Sequence, residues 1–220
     1  MCAAKLFQEW RHRADRDERA VIFPDGCRDV LIASAPGAAA RVTLTPFDFR
    51  PRLVALPRGT RMSGYRLRPG AVVGQHVLDR IAADSDGIAE ILGNELGEWD
   101  ETDEAILALA TAGATAADVA KGLGISARSL QRHFRQLGLP PPDYWRLLGR
   151  ARRAAGMLPT GAPLAEIALD CGFSDQAHMT REFMRWFGRT PAQLRRDAPL
   201  LGLLRQPALG NWTGEQISTR

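Results

Sequence analysis

No run of apolar residues in this chain approaches the roughly 20 that a membrane-crossing helix needs, so no membrane role is expected. Cysteine is scarce. Cys2, Cys27 and Cys171 stand far apart, are odd in number and include no CxxC pair. That pattern excludes a disulfide framework and a cysteine-built zinc site, and it points to three reduced, mostly buried thiols. No metal and no cofactor are expected. Lysine is nearly absent, with only Lys5 and Lys121, so the positive charge rests on arginine. The opening stretch, MCAAKLFQEWRHRADRDERA, turns charged almost at once and lacks the apolar stretch of a secretory signal. A cytoplasmic location is expected.

What is present is the composition of a soluble globular protein, 45% hydrophobic and 25% charged. Its 220 residues suffice for one large domain or two small ones. The net charge of +4 is unevenly spread: residues 113–196 hold 13 Lys and Arg against 6 Asp and Glu, a net +7. The remainder holds 16 against 19, a net −3. A segment that meets a polyanion would show this asymmetry.

The hydrophobic period changes along the chain. Short apolar runs at 21–23, 30–33, 42–45, 53–56 and 62–67, punctuated by proline and glycine, read as strands of a small antiparallel sandwich or barrel. From about Asp84 the spacing becomes helical, with Ile88, Ile91, Leu92 and Leu96 behind the candidate cap Ser85. The acidic stretch 98–104 reads as a solvated linker into a helix at 104–111. Leu200 and its apolar neighbours to Leu204 can pack on the preceding domain, whereas the last ten residues read as frayed. The expected fold class is α+β. A β-rich effector or dimerisation domain with a closing helix (1–97) precedes an all-α DNA-binding domain (98–196) and a C-terminal tail (197–220).

One unit occurs twice. DVAKGLGISARSLQRHFRQLGLPPPDY starts at Asp118, and EIALDCGFSDQAHMTREFMRWFGRTPAQL starts at Glu166. Ala120, Gly124, Ile125 and Ser126 match Ala168, Gly172, Phe173 and Ser174 at an offset of 48. Leu130, Arg132 and Phe134 match Met179, Arg181 and Phe183 at 49, and Gly138 and Pro141 match Gly188 and Pro191 at 50. Each shared residue has a physical task. The alanine lets two helices cross closely, and the glycine supplies the positive φ that ends the first helix. The apolar residue plugs the turn, and the serine caps the next helix. That is a helix-turn-helix, and two of them would be joined by a long helix over 143–158, where Trp145, Leu148, Arg152 and Ala155 form a stripe. Gly149 and Gly156 would weaken this helix by about 1 kcal/mol each and permit bending.

The second helix of the first unit divides cleanly. Arg128, Gln131, Arg132 and Arg135 fall on one polar stripe, opposite Ala127, Leu130 and Phe134. Guanidiniums suit guanine O6/N7 or phosphate, and a glutamine amide suits adenine N6/N7. In the second unit Met179, Phe183 and Trp186 make the inner stripe, while Ser174, Ala177, His178 and Arg181 look outward with Gln176 and Thr180 at the flanks.

Residues from about 104 to 196 resemble the C-terminal domain of the AraC/XylS family of bacterial transcription regulators. The most specific stretch is IALDCGFSDQAHMTREFMRWFGRTPAQLR, with its Ala, Gly-Phe, Phe and Gly-x-x-Pro positions. The first unit's Gly-Ile-Ser-x3-Leu-x-Arg-x-Phe matches as well. FPDGCRDVLI and YRLRPGA resemble, more weakly, a short sensor-like N-terminal domain of the same family. The resemblance implies a sequence-specific regulator whose DNA-contacting positions fall on Arg128, Gln131 and Arg132, then on Gln176, Ala177, Thr180 and Arg181. It implies duplex DNA as partner and leaves open RNA polymerase, a small-molecule effector and a homodimer. Ala177 departs from the longer polar residue often found at its position, and Pro140-Pro141-Pro142 stiffens the connection between units. Two other classes compete. A DNA-repair or thiol-reactive enzyme could use Cys27 beside its Asp-Gly turn, but zinc-ligating cysteines are missing and neither His12 nor His76 is ordered into a triad. A protein-interaction module could present the same arginines to an acidic partner. No catalytic residue and no enzyme activity are expected.

Overall fold

The computed structural model describes residues 6–84, 87–111 and 114–212. Strands β1 (Phe7–Arg13), β6 (Arg61–Leu67), β3 (Asp29–Ser34) and β4 (Arg41–Leu44) lie in that order in one antiparallel sheet. Strands β2 (Glu18–Ile22) and β5 (Arg52–Leu56) pair in a second, two-stranded sheet. The fold class is α+β, as expected, and strands β2 to β6 lie at or near the five predicted runs.

Alternation along the strands gives the larger sheet two chemically distinct faces. Val30, Ile32, Tyr65 and Leu67 pack against α1 (Gln75–Ala83) and α2 (Ile88–Glu95), chiefly through Val77, Ile81, Ile88 and Leu92. The opposite face carries Gln8, Trp10, Met62 and Arg66, with the Trp10 ring so close over Gly64 that an added Cβ would lie 2.1 Å from it. The predicted cap Ser85 lies outside the described residues. The N-cap position of α2 is Gly87, which makes no side-chain cap bond.

The helical half comprises α3 (Glu101–Thr111), α4 (Ala116–Gly122), α5 (Ala127–Gln136), α6 (Pro142–Met157), α7 (Leu164–Asp170), α8 (Gln176–Phe187), α9 (Pro191–Arg196) and α10 (Ala198–Leu204). Helix α6 is its axle, with Trp145, Leu148, Ala151, Ala154 and Ala155 fully buried. Proline opens it at Pro142, where a missing N–H costs no hydrogen bond. Gly149 serves close packing: a Cβ there would lie 2.6 Å from the carbonyl oxygen of Ala110 in α3.

Residues 98–104 are solvated only in part: Glu98, Asp100, Glu101 and Glu104 are exposed, but the stretch enters α3 at Glu101 and is anchored at Asp103. Asp103 lies in the first turn of α3, only 4% exposed, and accepts a hydrogen bond from Arg68 Nε at 2.9 Å. Arg68, 5% exposed, also bonds the carbonyls of Leu96 and Glu98, so this acidic stretch is fastened to the β-rich half. Burial raises the Asp103 pKa, and the bond from Arg68 opposes that rise.

Aromatic contacts join the two halves. Phe23 meets Phe187 edge-on at 5.9 Å, Phe47 meets Trp145 at 5.5 Å, and the Tyr144 hydroxyl donates to the Asp48 carbonyl at 3.1 Å. Past α9 the chain returns to the β-rich half. Leu201 and Leu204 are buried, in line with the expected packing of this apolar stretch. Arg152 of α6, 6% exposed, donates to the carbonyls of Leu204, Gln206 and Leu209, and the Leu209 N–H donates to the Asp25 carbonyl at 2.9 Å. Of the stretch expected to fray, residues 213–220 lie outside the described residues.

Candidate nucleic-acid interface

The turn between α4 and α5 is built from backbone hydrogen bonds that only a glycine allows cheaply. Gly124 sits at φ +67°, its N–H bonds the Lys121 carbonyl at 3.1 Å, and the Ile125 N–H bonds Ala120 at 2.9 Å. The turn between α7 and α8 repeats this pattern. Gly172 has φ +76° and bonds Leu169 at 2.9 Å, and the Phe173 N–H bonds Ala168 at 2.9 Å. In both turns the carbonyls at the helix end, otherwise unpaired, are satisfied by this double closure. Ala120 and Ala168 are buried where the paired helices meet.

Two details differ from the sequence expectation. Ser126 caps α5, accepting from the Ser129 N–H at 3.1 Å, but the cap of α8 is Asp175 and not Ser174. The second unit carries one residue more at this point, which moves the capping position on by one. Ser174 instead lies within 3.1 Å of His178 Nδ1 through its hydroxyl. The second difference is the plug. Phe173 is buried as expected, whereas Ile125 is 42% exposed and half-buried Leu123 packs against the core beside it. Sequence reading also missed Arg150 of α6, which donates to the Gly172 carbonyl at 3.1 Å and stacks over the Phe173 ring at 4.5 Å. It fastens the second turn to the axle, and only the folded arrangement of sequence-distant elements reveals it.

The recognition faces follow. In α5, Leu130 and Phe134 are buried while Arg128, Gln131, Arg132 and Arg135 are all exposed. Among the described residues none of these three arginines is held in an ion pair, so their guanidiniums are uncommitted. In α8, Met179, Phe183, Trp186 and Phe187 are buried. Gln176, Ala177 and Arg181 are exposed, and Thr180 is half-buried with its hydroxyl donating to the Gln176 carbonyl at 2.9 Å. His178 is half-buried and turned toward Ser174.

The two helix starts differ electrostatically. A helix N-terminus attracts anions through its unpaired N–H groups. Neutral Ser126 leaves that attraction intact at α5. At α8 the Asp175 carboxylate occupies it, held below the usual carboxylate range by the bond from the His178 N–H, with a further contribution from Arg181. A phosphate would therefore be favoured at the first start over the second.

Cys27 offers no comparable chemistry. It is buried, its N–H bonds Asp25 Oδ1 at 2.9 Å, and burial, reinforced by the Asp25 carboxylate, pushes the thiol well above its ordinary pKa. A thiol kept protonated is a poor nucleophile. No group of His, Cys, Asp and Glu side chains fit to hold a metal occurs among the described residues. No helix among them is long and apolar enough to cross a membrane.

Comparison with known proteins converges on the same segment. Residues 119–197 match the family described as a helix-turn-helix domain. The ornithine utilization regulator of Pseudomonas aeruginosa is 37% identical over 83 residues, 36% of this chain and 23% of that protein. The HTH-type transcriptional regulator VirS of Mycobacterium tuberculosis is 36% identical over 87 residues, 40% of this chain and 26% of that protein. The matched part thus spans about a quarter of the length of these curated relatives. A solved AraC-type DNA-binding domain protein from Chromobacterium violaceum is 28% identical, covering 49% of this chain and 95% of that one, with a TM-score of 0.41. The resemblance to AraC-type regulators drawn from the sequence holds for this tandem helix-turn-helix domain.

Proposed function

We propose that this chain is a sequence-specific, DNA-binding transcription regulator that lays α5 and α8 into adjacent major-groove segments of one duplex. The observation that carries it is the repeated helix-turn-helix in which each second helix buries one stripe and exposes a polar one, the first bearing uncommitted Arg128, Arg132 and Arg135. Arg128, Gln131 and Arg132 read bases or their flanking phosphates, and Arg135 contacts backbone. Gln176, Ala177, Thr180 and Arg181 form the second, more weakly reading surface, because Ala177 has no reach and Asp175 disfavours phosphate. The curated relatives carry regulator names, which supports the same reading.

In this reading residues 1–97 form the sensing or dimerising unit, 98–196 the DNA-binding unit, and 197–220 the C-terminal segment. The partners are duplex DNA, a small-molecule effector, a second copy for a dimeric regulator and RNA polymerase for an activator. The protein acts in the cytoplasm and is not an enzyme. The experiment is selection of duplexes from a random-sequence pool by the full chain, followed by a salt titration of the enriched site. A defined motif should emerge, and its affinity should fall linearly on a double-logarithmic salt plot. Equal retention of all duplexes, matched by retention of an acidic protein, would instead make the arginine face a general polyanion surface.

A further inference from the structure

A half-open cavity of about 430 Å³ lies between the two sheets and is bordered by the C-terminal segment. Its walls are mostly apolar, with Val21, Leu56 and Met62 contributed by strands and Leu200 and Leu203 by α10. Among the polar lining residues, Gln8 is 5% exposed, and its Nε2 has no hydrogen-bond partner among the described residues. Arg66 pairs through Nη2 with Asp25 at 3.1 Å and through Nε with Asp29 Oδ1 at 3.6 Å, so its guanidinium is committed to these two carboxylates. Buried donors are almost always satisfied, so the unpaired Gln8 amide in the cavity wall calls for an acceptor.

Charge decides which acceptor. Arg66 is already flanked by the carboxylates of Asp25 and Asp29. Glu9 and Glu18 also line the cavity, against Arg19 and a His12 that bonds Glu18. Counting Asp25 and Asp29 on Arg66, carboxylates outnumber the guanidiniums of Arg19 and Arg66 around the cavity, which disfavours an anionic head group. We propose that this cavity binds a neutral, mainly apolar small molecule whose carbonyl oxygen accepts from the Gln8 amide. This gives chemistry to the effector of the proposed regulator, and its bearing on DNA rests on that reading. The route is physical: Gln206 lines the cavity, and its carbonyl is held by Arg152 of α6, the helix joining the two helix-turn-helix units.

The test uses the full chain without DNA. The fluorescent apolar amine N-phenyl-1-naphthylamine is bound, then displaced by nonanamide or by nonanoate, ligands of equal chain length and different charge. Nonanamide should displace it at a concentration roughly tenfold below nonanoate. Gln8→Leu should raise the nonanamide requirement on the order of tenfold, as loss of a buried hydrogen bond implies. Leu203→Trp, at the half-exposed α10 edge of the cavity, should abolish binding of the fluorophore and keeps the test informative if Gln8→Leu fails to fold. Failure of the fluorophore to bind, nonanoate as good as nonanamide, or indifference to both substitutions would overturn the proposal. Duplex selection by the same preparation is scored separately, so a protein that binds its DNA motif but neither ligand sinks this inference alone.

Discussion

Arg132 and Arg135 stand one helical turn apart on the exposed side of α5, yet their tasks should differ. Arg132 lies near the middle of the recognition stripe, and its removal as Arg132→Ala should cost about 1–3 kcal/mol on the selected site and relax preference at one or two base pairs. Arg135→Ala, nearer the helix end, should weaken all duplexes alike and reduce the salt slope by about one. Equal, sequence-independent losses from both would remove Arg132 from the base readers. Cys27 gives the opposite kind of prediction. Buried and held protonated, it should resist iodoacetamide at pH 8 in the native chain and react on unfolding. Rapid native alkylation would revive the thiol-reactive alternative. At this scale the outward arginines were legible because helical spacing alone assigns a face. The identity of the α8 cap was not. Ser174 and Asp175 are both good caps, and which one serves depends on the backbone: extended at Asp175, with its carboxylate on the His178 N–H.

Elements show where local pattern suffices and where it fails. Each helix-turn-helix unit encodes its own turn, cap and buried pair within one continuous stretch, so the repeat could be read directly. Strand β1, FQEWRHR, was missed because its alternation sets aromatics and charges against one another, with little of the apolar signal that marks a strand. Helix α1 was missed for a related reason, since QHVLDRIAA turns only Val77, Leu78 and Ile81 inward. The internal anchors yield a stability prediction. Phe134→Ala and Phe183→Ala should each cost about 3–5 kcal/mol in denaturant unfolding, because both side chains are fully buried. Arg128→Ala and Arg181→Ala should leave the unfolding midpoint unchanged while weakening DNA binding. An Arg181→Ala chain that unfolds as early as Phe183→Ala would mean the faces of α8 are assigned wrongly.

For the whole molecule, the two halves are bound more firmly than an acidic linker would allow. Arg68 and Asp103 are far apart in sequence and nearly solvent-free in the fold. Nothing local signals that contact, which is why residues 98–104 read as solvated. Removing one partner strands the other charge, so Arg68→Ala should lower stability by about 3–5 kcal/mol. A loss below about 1 kcal/mol would mean that water reaches Asp103.

The central claim, that both helix-turn-helix units read one face of one duplex, rests on α6 holding them apart at a fixed distance. Buried along most of its length, α6 has little freedom to bend at Gly149, where Ala110 packs against the bare backbone. Two helices so held should engage segments about one turn apart, roughly 10–10.5 bp. Because their outward residues differ, the site should be two unlike elements. The measurement is footprinting of the full chain on its selected duplex, before and after five base pairs are inserted between the protected elements. Half a turn carries one element to the far side, so affinity should fall toward the nonspecific level. Undiminished binding with only the first element protected would contradict the account and leave α8 without a reading role.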